Sequence, residues 1–457
     1  MRAEVGASSE LTPMAARRER VDGVLNPRAV EVLVAGVAVR ALTFVAATVA
    51  GIVALGALRA SAQDSKPDWR EQNAYTLGVQ AYLYAFPWAY MPEARWLRTE
   101  ALDRQADRFD HIRHLEDANH LSGGAPNNDT LYSRAWVYLK DEPVILTVPE
   151  IADRYYTMEI TDFMGDNFAY VGTRATGTKA GNYAIIGPDW TGTLPAGVQP
   201  LPPSSTPWAT ILGRTYVKDA SDLDAAHKIQ DQYKLAPLSQ WGKSEVVPPK
   251  DAIIWEGFNP KTDPLADWKT INRAMIEVPP PARDADMLQQ FARIGIGPGL
   301  DVESQDASTK RGLARAAVDG KKIIADAFTD GYLQKVVNGW NYPPPATGRP
   351  SPSRDWIFRA VQMLAGFIAN DPVEGTYLNV SVDGDGKPLT GKNRRHPLRQ
   401  GRRAEGQGVL VGDDVQFEVQ SRRQSDRPLF ARRSFGHETR CGRRPHNLRA
   451  EGLAGAG

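Results

Sequence analysis

Between Trp136 and Val217 the chain breaks into short β-branched and aromatic runs, and this rhythm constrains the fold more than any other feature. Trp136–Leu139, Val144–Val148, Tyr155–Ile160, Phe168–Val171, Tyr183–Ile186 and Trp208–Val217 are the runs, with Gly, Pro, Asn and Asp between them about every ten residues. Runs this short are too brief for helices that bury a face, but they suit a pleated, half-buried surface. Frequent turns fold such runs back on one another, so the region predicts an all-β sandwich.

Helical patterns flank it. Asp68–Thr99 carries Tyr75, Leu77, Val79, Tyr82, Leu83, Phe86, Met91 and Trp96 on a broad apolar face, which Pro87 is expected to kink or interrupt. Leu102–Leu121 is polar and reads as loop. Ser221, with Asp224 three residues on, predicts the start of a helix through Leu235 by a variant capping box. Further helices are expected at Asp284–Arg293, Ser308–Leu333 and Asp355–Ile368. Pro279–Pro281 should form a rigid turn, and Pro343–Pro345 with Pro350 and Pro352 a linker. Tyr377–Val382 reads as a strand, closed by a turn at Asp383–Gly386.

Ala41–Leu58 is almost wholly apolar, with Arg40 before it and Ala60, Ser61 and Ala62 after it. A basic flank, an apolar core and a small-residue site read as a secretory signal cut after Ala62, with Met14 as an alternative start. The alternative is an uncleaved membrane anchor through residues 41–58, since about 18 apolar residues can just span a bilayer. The single Cys excludes a disulfide framework. Export with almost no Cys points to a periplasmic or secreted protein.

The net charge of +1 gives no basic field for nucleic acid. That average hides a break. Arg394–Gly457 holds 14 Arg, no Lys and 7 Asp or Glu, lacks Trp and Tyr, and contains the only Cys, Cys441. Codons can be chosen from His396 onward that, regrouped after one base, read IHFDKGAEPKVKGFWSVTMY. Later stretches yield similar alternating strings. Loss of two bases between Arg394 and Arg395 would produce the change, so the tail is read as frameshifted and without a packed core of its own. A true basic tail for anionic partners is the alternative.

Several strings carry a family resemblance. Gly123–Ser133, Trp136, Tyr155–Met158, Asn182-Tyr183, Gly187-Pro188 and Gly213-Arg214 resemble the bacterial family called domain of unknown function 1254. Thr376-Tyr377, Asp383–Gly386, Pro388-Leu389 and Gly391 resemble domain of unknown function 1214, which usually shares one exported chain with the first. The resemblance implies an immunoglobulin-like β-sandwich, a helical middle and a C-terminal jelly-roll-like sandwich, incomplete here, in a multi-domain, mainly β chain. The expected segments are 1–62 extension and signal, 63–121 helical lead-in, 122–220 β-sandwich, 221–342 helical middle, 343–394 jelly-roll start and 395–457 tail. No reaction is implied.

The densest polar constellation is Asn127, Asn128, Asp129, Tyr132 and Ser133, expected in a loop just before the first sandwich strand. Asn127 and Asn128 could orient a ligand, Asp129 act as base or acceptor, and Tyr132 or Ser133 donate; Asn-Asn-Asp is equally turn chemistry. Tyr156, Glu159 and Asp162 are candidates for the same region. His111, His114 and His120, beside Asp110, Glu116 and Asp117, have a spacing that could suit zinc on a helix but lack the metalloprotease pattern, so no metal is predicted. Asp383 and Asp385 resemble the start of a calcium loop without its closing Glu. His227 is read as a surface or capping residue, and Trp340 and Tyr342 as interface aromatics. The chain has no nucleophile elbow, phosphate loop or dinucleotide fingerprint, and no cofactor is predicted. The favoured function is an exported module binding a small molecule or glycan in a cleft. The alternatives are a hydrolase or lyase using Asp129, Tyr132 and Ser133, and an envelope protein without a ligand.

Overall fold

The computed structural model describes residues 68–102, 104–116, 126–243, 257–380, 382, 386 and 387. The signal segment, Asp117, His120, Asp383, Asp385 and the Arg-rich tail lie outside them. The described fold is mixed α/β and is built on open sheets.

The elements, in chain order, are α1 (Trp69–Trp96), β1 (Asp110–His111), β2 (Thr130–Tyr138), β3 (Val144–Val148), β4 (Tyr156–Asp162), β5 (Asn167–Gly172), β6 (Gly181–Ile185), β7 (Val198–Pro200), β8 (Trp208–Tyr216), α2 (Leu223–Gln230) and β9 (Lys234–Pro237). They continue with α3 (Ala266–Glu277), α4 (Ala285–Ala292), α5 (Ala307–Thr329), β10 (Lys335–Val337), β11 (Trp340–Tyr342) and α6 (Trp356–Ala365). One sheet has the order β1-β2-β8-β4-β5, a second β7-β6-β3-β9, and β10-β11 form a hairpin.

Alternation along the strands explains the layering. Ala135, Val137, Met158, Ile160, Val171, Ala209 and Ile211 from the five-stranded sheet share an apolar cluster with Val144, Leu146, Val148, Tyr183, Ile185 and Leu235 from the four-stranded one. The intervening residues Trp136, Tyr138 and Trp208 face the other way and join a second cluster with Phe163, Met164 and the helices. The five-stranded sheet is thus apolar on both faces over part of its area. In the helical layer Trp88 Nε1 donates to the Val278 carbonyl at 2.7 Å and Trp268 Nε1 to the Leu313 carbonyl at 2.9 Å, so these two indoles are buried with their N–H groups satisfied.

Helices α1 and α5 meet along small residues. A Cβ at Gly78 would stand 2.7 Å from Ala316 Cβ, one at Gly312 only 2.4 Å from the Glu71 carbonyl oxygen, and one at Gly320 2.6 Å from the Tyr82 ring. Glycine is used there for close approach, not for turning.

Four expectations change. Pro87 does not end α1, which also contains Pro92 and runs to Trp96; packing against the other helices outweighs the missing backbone donors. The polar stretch after Leu102 supplies edge strand β1, paired with β2. The helix expected from Ser221 to Leu235 ends at Gln230, and Lys234–Pro237 instead adds β9 beside β3. Asp219, not Ser221, is the capping side chain here, accepting from the Ser221 N–H, with a 3-10 turn before α2. Tyr377–Val382 shows no strand among its described residues, only isolated bridge positions at Asn379, paired with Asn341, and at Val382. Helix α3 falls inside the expected helical middle without bounds of its own, and the β10-β11 hairpin carries no prior expectation.

Candidate functional site

Away from the tryptophans, the helix-side face of the five-stranded sheet turns polar. Tyr132 on β2 pairs in register with Arg214 on β8, Arg214 with Thr157 on β4, and Glu159 on β4 with Tyr170 on β5. Arg214 Nη1 donates to Glu159 Oε2 at 2.7 Å, and the two side chains are 8% and 0% exposed. The same Nη1 donates to Asn370 Oδ1 at 3.2 Å. Glu159 Oε1 accepts from Asn167 Nδ2 at 3.1 Å, which also reaches the Tyr170 hydroxyl and the Ala369 carbonyl, each at 2.7 Å.

The segment 369–377 lies over this row. The Asp371 N–H donates to the Tyr170 hydroxyl at 2.9 Å, and Asn370 donates to the Tyr377 hydroxyl from its backbone N at 2.9 Å and its Nδ2 at 3.1 Å. Tyr155 donates to Glu374 Oε1 at 2.8 Å, Arg174 pairs with Glu374, and Arg349 pairs with Asp371. Three guanidiniums therefore face three carboxylates. Burial pushes the Glu159 carboxyl up, with Arg214 opposing it. Burial works against the Arg214 charge, but Glu159, Tyr377 and Tyr132 together outweigh it and the guanidinium stays protonated. Burial also raises the Tyr155 and Tyr170 phenols, helped by Glu374 and Glu159 respectively. No phenolate forms at neutral pH, and the arrangement suits recognition by hydrogen bonds better than nucleophilic attack.

The sequence candidates separate. Asn127, Asn128 and Asp129 form the exposed turn before β2; the Asn127 N–H donates to the Tyr132 hydroxyl at 2.7 Å, and the Asp129 carbonyl accepts from the Val217 N–H at 2.8 Å. Tyr132 and Ser133 are not loop residues but consecutive members of β2, so they point to opposite faces. Ser133 is fully buried on the far side, hydrogen-bonded to His111 Nδ1 at 2.9 Å and to Gln230 Nε2 at 3.1 Å. Asp129, Tyr132 and Ser133 therefore do not form one catalytic group. Burial lowers His111 to about 4, so it is neutral at pH 7. Tyr156 lies in the core between the sheets, its hydroxyl 3.3 Å from the Gly177 carbonyl and its phenol pushed up to about 12 by burial. Asp162 ends β4 and accepts from the Met164 and Asp166 N–H groups at 2.9 and 3.0 Å, which makes it a turn anchor. His227 Nε2 donates to the Arg113 carbonyl on the surface. Among the described residues no group of three or more His, Cys, Asp or Glu is placed to hold a metal.

Arg214 appears in the sequence only inside a family-like string, and Asn167, Tyr170, Asn370 and Tyr377 not as site residues at all. The available signal was a lone carboxylate within Tyr156–Ile160 and a lone guanidinium within Trp208–Val217, each an ionisable residue in an otherwise apolar or β-branched run.

Residues 106–237 match the model of a family described as a protein of unknown function, DUF1254. The matched stretch holds β1 to β9, all strands of both sheets, together with Tyr132, Glu159 and Arg214. The fold is similar to the crystal structure of the VPA0106 protein from Vibrio parahaemolyticus, with a TM-score of 0.54 and 20% identity over 70% of this chain and 73% of that one. No curated protein sequence matches the chain.

Proposed function

We propose that this is an exported protein that binds a small molecule or glycan at the polar row Tyr132–Arg214–Glu159–Tyr170 under segment 369–377. The observation that carries the binding reading is a buried, mutually neutralising Arg214–Glu159 pair set apart from both apolar cores. Desolvating an ion pair commonly costs as much as its attraction returns, so such a pair is poorly explained by stability alone. Tyr377, which bonds Asn370 beside Arg214, is 39% exposed as a residue, so the row lies close to the surface. Export rests on the Ala41–Leu58 run and the Ala60–Ala62 site.

The finer architecture belongs to the same proposal. The two sheets with their shared core support an immunoglobulin-like sandwich, while a jelly-roll start resembling domain of unknown function 1214 after Tyr342 and a shifted frame after Arg394 rest on the sequence strings alone. Thermal melting in the presence of sugars, lipids and organic acids tests the binding reading. A ligand at about 100 times its Kd should add about 2.7 kcal/mol. If no compound in the panel moves the transition, the protein has no binding role of this kind.

A further inference from the structure

Resting on that reading and deepening it, we propose that the ligand presents a carboxylate to Arg214. A guanidinium carries five N–H donors in a fixed fork. Nη1 is committed to Glu159 and Asn370. Nε and Nη2 form the edge that meets a carboxylate through two parallel hydrogen bonds, and neither has an acceptor among the described residues. Arg214 as a residue is only 7% exposed, so that edge meets solvent over a small area.

Two more donors beside it are in the same condition. The Tyr132 hydroxyl accepts the Asn127 N–H, and the Tyr377 hydroxyl accepts two N–H groups of Asn370. Each phenol oxygen is thereby oriented as an acceptor, and its own proton meets no acceptor among the described residues. Both phenols interact electrostatically with Arg214, and the Tyr132 ring centroid is 5.9 Å from Arg214 Cζ. Unmade donors grouped around one guanidinium call for a group that only accepts. A carboxylate has two oxygens and about four lone pairs, whereas a hydroxyl or primary amide also brings donors that would find none of these partners. Glu159 occupies the Nη1 corner and leaves the Nε–Nη2 edge to the incoming anion.

The test uses the full 457-residue chain and four probes at matched ionic strength: sodium glucuronate, sodium acetate, glucose and acetamide. Glucuronate and acetate should raise the melting temperature in a saturable way, while glucose and acetamide should bind at least about tenfold more weakly, a difference of 1.4 kcal/mol. Arg214→Lys keeps the charge and loses the fork, so carboxylate affinity should fall about tenfold or more. Tyr377→Phe, at a partly exposed position, should fold normally and weaken carboxylates without a matching loss for neutral probes. Equal shifts from glucuronate and glucose, both weakened in Tyr377→Phe, would overturn the carboxylate while leaving a binding site there. No shift from any probe would remove both. A carboxylate shift untouched in both variants would show that the anion sits elsewhere.

Discussion

Removing Glu159 while keeping Arg214 should be among the most damaging single changes to the sheet, and removing both should not. Glu159 is fully buried and Arg214 nearly so, joined at 2.7 Å. Glu159→Leu strands a guanidinium that cannot deprotonate at accessible pH, and losses of about 3–5 kcal/mol follow from breaking such a pair. Arg214→Met strands a carboxylate that can protonate. The Glu159 carboxyl is already raised above its ordinary value by burial, and losing Arg214 raises it further. A raised folded pKa means stability is greatest below the unfolded value and falls as pH climbs through the folded one. Arg214→Met should therefore cost less at pH 5 than at pH 8, whereas Glu159→Leu should cost nearly the same at both. The double variant replaces the pair with apolar side chains and should lie within about 1–2 kcal/mol of the parent, since such replacements are often neutral or stabilising. Urea denaturation of the four proteins at both pH values, analysed as a double-mutant cycle, supplies every number needed. Additive losses in the double variant, or an Arg214→Met cost independent of pH, would refute the reasoning.

Other consequences are equally direct. Burial pushes Asp107 up to about 7, with its Oδ1 accepting the Tyr138 N–H at 3.1 Å. Its stability contribution falls as pH rises from the unfolded value to about 7, by up to about 4 kcal/mol at 1.36 kcal/mol per unit. Asp107→Asn keeps the acceptor and tolerates the positive φ of 58°, so urea midpoints should rise at pH 8 and stay unchanged near pH 3. Gly312→Ala drives a methyl against the Glu71 carbonyl; overpacking of about 1–3 kcal/mol should exceed the gain of about 1 kcal/mol in helix propensity, and a higher urea midpoint would contradict the close α1–α5 contact. N-terminal sequencing of the protein recovered from the periplasm or medium should begin at Gln63; an intact residue 41–58 segment in a membrane fraction would mean an anchor.

The sequence made the strands legible because their side chains alternate over turn-bounded stretches, and β3 ends where the Val144–Val148 run ends. It hid β9, because Lys234–Pro237 follows a helical pattern without a Gly or Pro break and becomes a strand only by pairing with β3. It also hid the bounds of α3, whose pairing of Trp268 with Leu313 is a tertiary contact. Polar residues crowded together, Asn127 to Ser133, drew attention to a turn and split across two faces of a strand. The buried row is assembled from β2, β4, β5, β8 and the segment near Asn370, with bonded partners as far as 202 positions apart in the case of Asn167 and Ala369. No local spacing encodes such a set; only the register between strands does.

Strands β2 and β8 carry large aromatic residues on one face, Trp136, Tyr138 and Trp208, and small or aliphatic ones on the other, Ala135, Val137, Ala209 and Ile211. A one-residue slip would therefore present tryptophan to a space fitted for alanine and leave the helices resting on alanine. Most half-buried sheets forbid slippage from one side only. Here both neighbours veto it, so a single-residue insertion or deletion inside either strand has no tolerable outcome. Length variation among homologous chains should consequently gather in the connections, such as the long stretch between β6 and β8, and leave the lengths of β2 and β8 constant while their individual residues drift.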